Sequence, residues 1–88
     1  MRSFEQIWKR IVELEGAEFR QVRGKMFTYR MSGKAFIPST TTYLVPRSQV
    51  EKAWERMPLT GPGAISDLVA PSYVFAILTD SRIANPAQ

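Results

Sequence analysis

Apolar positions in this chain change their spacing twice, from the three-and-four period of a helix to alternation and back again. Phe4, Ile7, Trp8, Ile11 and Leu14 fall on one helical face, which predicts a first helix over residues 4–15. Ser3 with Gln6 is a capping-box pattern that satisfies orphan donors at its start. Glu5 and Lys9 form an i,i+4 pair in the favourable orientation, and Gly16 can end the helix in a left-handed conformation. Lys9, Arg10, Glu13 and Glu15 are expected to face water.

From Ala17 the pattern alternates. Phe19 and Gln21, then Phe27, Tyr29 and Met31, then Ala35 and Ile37 read as strand residues. They are separated by Arg23-Gly24 and Ser32-Gly33, whose glycines supply the positive φ of tight hairpins. The expectation is a three-stranded antiparallel meander over residues 17–22, 25–31 and 34–45. Pro38 cannot donate to a ladder, so the third strand is expected at an edge, broken or bulged there. The run Ser39-Thr40-Thr41-Thr42 that follows carries hydroxyls able to hydrogen-bond phosphate, although an exposed strand edge is the commoner meaning of such a run.

Helical spacing returns with Val50, Ala53, Trp54 and Met57, predicting a second helix over residues 49–57 that is opened by a Ser48–Glu51 capping box and ended by Pro58. Leu59-Thr60-Gly61-Pro62-Gly63 is the clearest loop, and Ile65, Leu68 and Val69 suggest a short helix before Ala70-Pro71. Residues 70–83 are the most apolar stretch of the chain. Pro71 suits a first helical turn, and Val74, Phe75, Ile77 and Leu78 cover more than half of a helix that needs neighbours on several sides. The order is α-β-β-β-α-α-α, hence an α+β domain with helices packed on one face of the meander. The single domain is expected to span residues 1–83, with a mobile tail over 84–88. Trp8 and Trp54 are expected as core anchors.

Composition narrows the chemistry. The chain has no Cys and no His, which removes a disulfide framework, a thiolate nucleophile, an imidazole base and the usual zinc sites. No apolar run approaches the roughly 20 residues of a membrane span. A cytoplasmic protein with no membrane, metal or cofactor partner is expected. Catalytic candidates are poor: Glu51 and Glu55 share a helix face with Lys52 and Arg56, and Gly61-Pro62-Gly63 lacks the lysine and spacing of a phosphate loop. No enzyme is expected. Asp80, near the end of the apolar helix, opposes the helix dipole and needs a partner, which Arg82 or nearby backbone N–H groups can supply. A structural role is expected for both residues.

Charge changes the picture most. Between Phe19 and Val50 there is no acid, while Arg20, Arg23, Lys25, Arg30, Lys34 and Arg47 lie inside that window. The window is therefore +6, and the remaining six basic and eight acidic residues sum to −2. Such asymmetry suits an anionic partner, nucleic acid foremost, with Lys52 added from the second helix. The rival expectation is a protein-interaction domain using the third-strand edge or an aromatic patch that includes Tyr29 or Tyr43.

Three resemblances bear on this. Residues 3–57 resemble the double-stranded-RNA-binding domain in their α-β-β-β-α order, which implies Arg23-Gly24-Lys25 and the start of helix 2, from Arg47-Ser48 to Lys52, as contact points. Glu51 and Glu55 stand where that family carries a lysine cluster. Ile65 to Val74 is similar to a helix-turn-helix, although Tyr73 to Leu78 is nearly all apolar where a recognition helix needs polar side chains. The pattern Pro-Ser-Tyr-x-x-Ala-Ile-Leu-x-Asp-x-Arg-Ile at 71–83 follows a Phe-x-Tyr strand and a Ser-x-x-x-x-Ala-Trp helix, and resembles small uncharacterised bacterial α+β proteins. That likeness implies no activity.

Overall fold

A computed structural model describes residues 3–84 as a compact α+β domain. Helix α1 spans Phe4–Glu13, and the Ser3 hydroxyl accepts the Gln6 N–H at its start. Its buried face is Phe4, Ile7 and Ile11, the residues that the spacing selects. Gly16 sits at φ 88 just past the helix and donates its N–H to the Tyr29 carbonyl, so the turn that ends α1 also lays the chain against the sheet. The expected Glu5–Lys9 pair does not form. Glu5 instead reaches Arg47, 2.8 Å away on another helix.

The strands are β1 (Phe19–Arg20), β2 (Met26–Phe27), β3 (Tyr29–Met31), β4 (Ala35–Pro38) and β5 (Val45–Pro46). They form an antiparallel pair β1-β2 and an antiparallel three-stranded meander β3-β4-β5. The second expected strand is thus divided at Thr28, where the chain exchanges one neighbour for another: Phe27 lies opposite Phe19, and Tyr29 opposite Pro38. Ser39 explains the division. Its Oγ accepts the Thr28 N–H at 3.0 Å while its own N–H returns to the Thr28 carbonyl at 2.8 Å, so a side chain replaces one ladder carbonyl.

The third expected strand also folds back on itself. After Pro38 the chain turns, with the Thr41 N–H on the Pro38 carbonyl, and returns as β5 against β4. The break at Pro38 is where the missing N–H places it. The edge assignment, however, is reversed: β4 is the central strand of its sheet. Because the strands lie in two sheets, the single sheet that the double-stranded-RNA-binding resemblance implies is not formed. Gly24 and Gly33 adopt φ 90 and 61 in the two hairpin turns.

Helix α2 spans Arg47–Glu55 and starts earlier than the Ser48–Glu51 box predicts. Pro46 is its N-cap and offers no side-chain bond, while the Arg47 N–H is taken by the Lys34 carbonyl at 2.8 Å, which ties the helix start to the β3–β4 turn. A 3-10 turn at Pro62–Ile65 replaces the short helix expected nearer Ala70. Helix α3 spans Pro71–Thr79 with Val74, Ala76, Ile77 and Leu78 buried and Ser72 and Thr79 its exposed residues. Helix α4, Ser81–Ala84, is separate, because Asp80 leaves helical geometry at ψ 134. Ala84 thus belongs to α4, and the rest of the expected tail lies outside the described residues.

One apolar core joins all these elements. Phe19, Phe27, Tyr29 and Phe36 turn inward from the strands to meet Ile7, Ile11, Val50, Ile65, Ile77, Leu78 and Ile83 from the helices and turns. Trp8 and Trp54 pack against this core and remain half-buried. No helix among the described residues is long and apolar enough to cross a membrane.

Candidate functional site

The pleat sends alternate residues of the two hairpins to opposite sides. Phe19, Phe27 and Tyr29 point into the core, so Arg20, Met26 and Arg30 point to solvent. Arg20 lies opposite Met26 and Arg30 opposite Ile37. Met26 and Arg30 are four residues apart on one extended stretch, about 13 Å at the usual strand rise. Arg23 and Lys25 flank Gly24 at the first turn and Lys34 follows Gly33 at the second, all exposed.

The decisive electrostatic feature is where the acids have gone. Arg10 pairs with Glu13, Arg47 with Glu5 and Glu51, Arg56 with Asp67, and Arg82 with Asp80. Each of these arginines lies in a helix or at its end. Arg20, Arg23, Lys25, Arg30 and Lys34 have no ion pair among the described residues. The hairpins therefore carry five positive charges with no ion pair among the described residues.

Arg47 differs from the hairpin cations in having carboxylate partners. Its guanidinium is held by two carboxylates and lies 4.9 Å from the Phe4 ring centroid, which makes it a clamp between α1 and α2. Lys52 is exposed, on α2 rather than on a hairpin, and its charge helps to lower the pKa of Asp67. The strongest cause of that lowering is the two-pronged hydrogen bond from Arg56 at 2.7 and 2.9 Å, which takes the Asp67 carboxyl down to about 2.

Asp80 and Arg82 form a hydrogen-bonded joint. The Asp80 carboxylate accepts from Arg82 Nε at 2.9 Å and Nη2 at 3.0 Å, and its Oδ1 also accepts the Arg82 backbone N–H at 2.8 Å, capping α4. The Arg82 hydrogen bond holds the Asp80 carboxyl below its ordinary range. Arg82 Nη2 also donates to the Glu18 carbonyl at 2.6 Å, and its guanidinium lies 4.3 Å from the Phe19 ring centroid. Arg10 Nε donates in turn to the Arg82 carbonyl at 3.1 Å. Three segments, the start of β1, α1 and α4, meet at this residue, α1 through the Arg82 backbone carbonyl.

Most of the hydroxyl run is engaged internally. Ser39 Oγ accepts the Thr28 N–H, Thr41 Oγ1 accepts the Tyr43 N–H at 3.2 Å, and Thr40 bonds the Tyr73 hydroxyl. Ser39, Thr41 and Thr42 also line a cleft of about 480 Å³ beside β3 and β4, together with Arg30, Ile37 and Glu15. Composition gives no sign of this cleft, because it depends on the chain folding back after Pro38.

Tyr29 is buried and donates its hydroxyl to the Ile11 carbonyl, so it belongs to no exposed aromatic patch. Burial pushes that hydroxyl well above the ordinary tyrosine range. Tyr43 and Leu44 are more than half exposed between β4 and β5. A second, apolar groove of about 530 Å³ lies among Trp54, Met57 and Pro58. The stripe that predicts α2 puts Trp54 and Met57 in the core, but the helix ends at Glu55 and leaves Met57 beyond it. Among the described residues no acidic group is arranged to hold a metal ion.

No protein-family model, curated protein or solved structure matches this chain.

Proposed function

We propose that this domain is a non-enzymatic binding module whose hairpin cations contact the backbone of a nucleic acid. The observation that carries the reading is the partition of charge: carboxylates neutralise the helical arginines, and Arg20, Arg23, Lys25, Arg30 and Lys34 have no carboxylate partner among the described residues. Met26 and Ile37, which lie opposite Arg20 and Arg30, offer no hydrogen-bonding side chain to a base edge, which supports contacts to phosphates as the main source of affinity.

Such binding releases counterions. With three to five phosphates contacted, affinity should fall about 40- to 500-fold between 50 and 200 mM salt. Fluorescence anisotropy with labelled duplexes of unrelated sequence measures this directly. Replacing Arg23, Lys25 and Arg30 together by Ser should weaken binding to every sequence about equally. No affinity for any polynucleotide at 50 mM salt refutes the reading. It would favour a protein-interaction domain, for which exposed Tyr43 and Leu44 are the supporting observation.

A further inference from the structure

We propose that the cleft beside β3 and β4 is a seat for one phosphate group. The inference deepens the backbone-binding reading and rests on it for the source of the phosphate, a nucleic-acid strand. The chemistry of the seat stands on its own residues.

Arg30 brings a guanidinium with no carboxylate partner among the described residues, on β3 between Tyr29 and Met31, which turn toward the core. Two hydroxyls of the cleft have their acceptor role filled by backbone. Ser39 Oγ takes the Thr28 N–H at 3.0 Å, and Thr41 Oγ1 takes the Tyr43 N–H at 3.2 Å. A hydroxyl whose lone pair is engaged in this way has its proton left to give. Thr42 adds a third hydroxyl, with no hydrogen-bond partner among the described residues. The cleft thus joins one fork of charged donors with three hydroxyl donors, the set that a tetrahedral oxyanion uses. Its volume of about 480 Å³ lies in the range of small-molecule sites and leaves room for a sugar beside the phosphate, against Ile37.

Glu15 also lines the cleft and its charge opposes the anion. Its carboxylate accepts the Met31 N–H at 2.7 Å, so its position is fixed. Glutamine in its place keeps an acceptor for that N–H and removes the charge. At roughly 8 Å in water a unit charge changes anion affinity about two- to threefold. The seat therefore makes an unusual demand: a conservative change should tighten binding, which a damaged fold cannot imitate.

The test is a backbone-amide NMR titration with inorganic phosphate, in the wild type and in Arg30→Gln, Glu15→Gln and the control Lys9→Gln. Saturable shifts should concentrate on Thr28 to Arg30 and Ser39 to Thr42. Arg30→Gln should weaken them about tenfold, Glu15→Gln should strengthen them two- to threefold, and Lys9→Gln should leave them unchanged. A second arm titrates one oligonucleotide with and without a 5′-phosphate. Tighter binding of the phosphorylated form that is lost in Arg30→Gln assigns the seat to a terminal phosphate. Equal binding with the same cleft shifts assigns it to an internal one. Shifts spread evenly over the hairpin cations, or insensitive to Arg30→Gln and Glu15→Gln, overturn the seat. Polynucleotide binding without cleft shifts overturns the seat alone, and no binding by either probe overturns the backbone reading with it.

Discussion

Arg82→Ala should destabilise the domain by about 2–3 kcal/mol, an amount built from three separable contacts. The two-pronged pair with Asp80 is partly solvent-screened, since the side chains are 40% and 22% exposed, so about 1 kcal/mol is a fair share. The 2.6 Å hydrogen bond to the Glu18 carbonyl comes from a charged donor at an exposed acceptor, adding about 1 kcal/mol. The guanidinium over Phe19 adds about 0.5–1 kcal/mol. In a domain of this size each kcal/mol moves the melting temperature by about 4–8 °C, so the loss should read as about 10–20 °C.

Asp80→Asn should cost less, about 0.5–1 kcal/mol. Asparagine remains a good N-cap and still accepts the Arg82 backbone N–H, while the contacts of Arg82 to Glu18 and Phe19 persist. The double variant should be less destabilised than the sum of the singles by about 0.5–1 kcal/mol, the share of the pair itself. The sign with pH follows from the depressed Asp80 pKa. Its contribution is present above the unfolded value of 3.8 and is lost as pH falls through the folded one, so wild type and Asp80→Asn should converge below about pH 4. Urea unfolding followed by tryptophan fluorescence, with thermal melts in parallel, measures all four proteins. A cost below about 0.5 kcal/mol for Arg82→Ala, or strict additivity in the double variant, would refute the joint.

Two further changes probe the scaffold with opposite signs. Tyr29→Phe removes the buried hydroxyl bond to Ile11 and should cost about 1 kcal/mol at neutral pH. Because the folded pKa of Tyr29 is raised, the wild type also loses stability as pH climbs above the unfolded value of 10.0, and alkaline melts should show that loss reduced in the variant. Ala70 sits at φ 50 before α3, so Ala70→Gly should be neutral or stabilising by up to about 1 kcal/mol in thermal melts, whereas the same change at buried Ala53 inside α2 should destabilise.

Local signals carried the helices, and they failed where a distant partner intervened. Helix α1 has a hydroxyl cap, one apolar face and a glycine stop, all contained in residues 3–16. Helix α2 shows the reverse case. Ser48 and Glu51 have capping spacing, yet the helix starts at Arg47 because the Lys34 carbonyl, thirteen residues upstream, takes the Arg47 N–H. The strands divide for a similar reason. Nothing in the alternation of residues 25–31 marks Thr28 as a boundary; the boundary exists because Ser39, eleven residues on, exchanges two hydrogen bonds with it.

The same rule decides how much of the charged surface could be read in advance. A helix-propensity argument pairs Glu5 with Lys9, since four residues bring them onto one face at a gain of about 0.2–0.5 kcal/mol. Arg47 competes for the same carboxylate with more to offer: a second acid in Glu51, an aromatic ring in Phe4, and a side chain only 26% exposed, where charges are screened less. The tertiary partner wins, across 42 residues of sequence. The acid-free window is legible because counting needs no fold, but which of its cations stay free depends on which carboxylates the packing of α1 against α2 brings within reach. Arg47 lies inside the window and takes part in that packing, while the other five stand on turns and outward strand positions without a carboxylate partner among the described residues. Glu5, Glu13, Glu51, Asp67 and Asp80 are taken by arginines in or at the ends of helices, and none of them pairs with a hairpin cation.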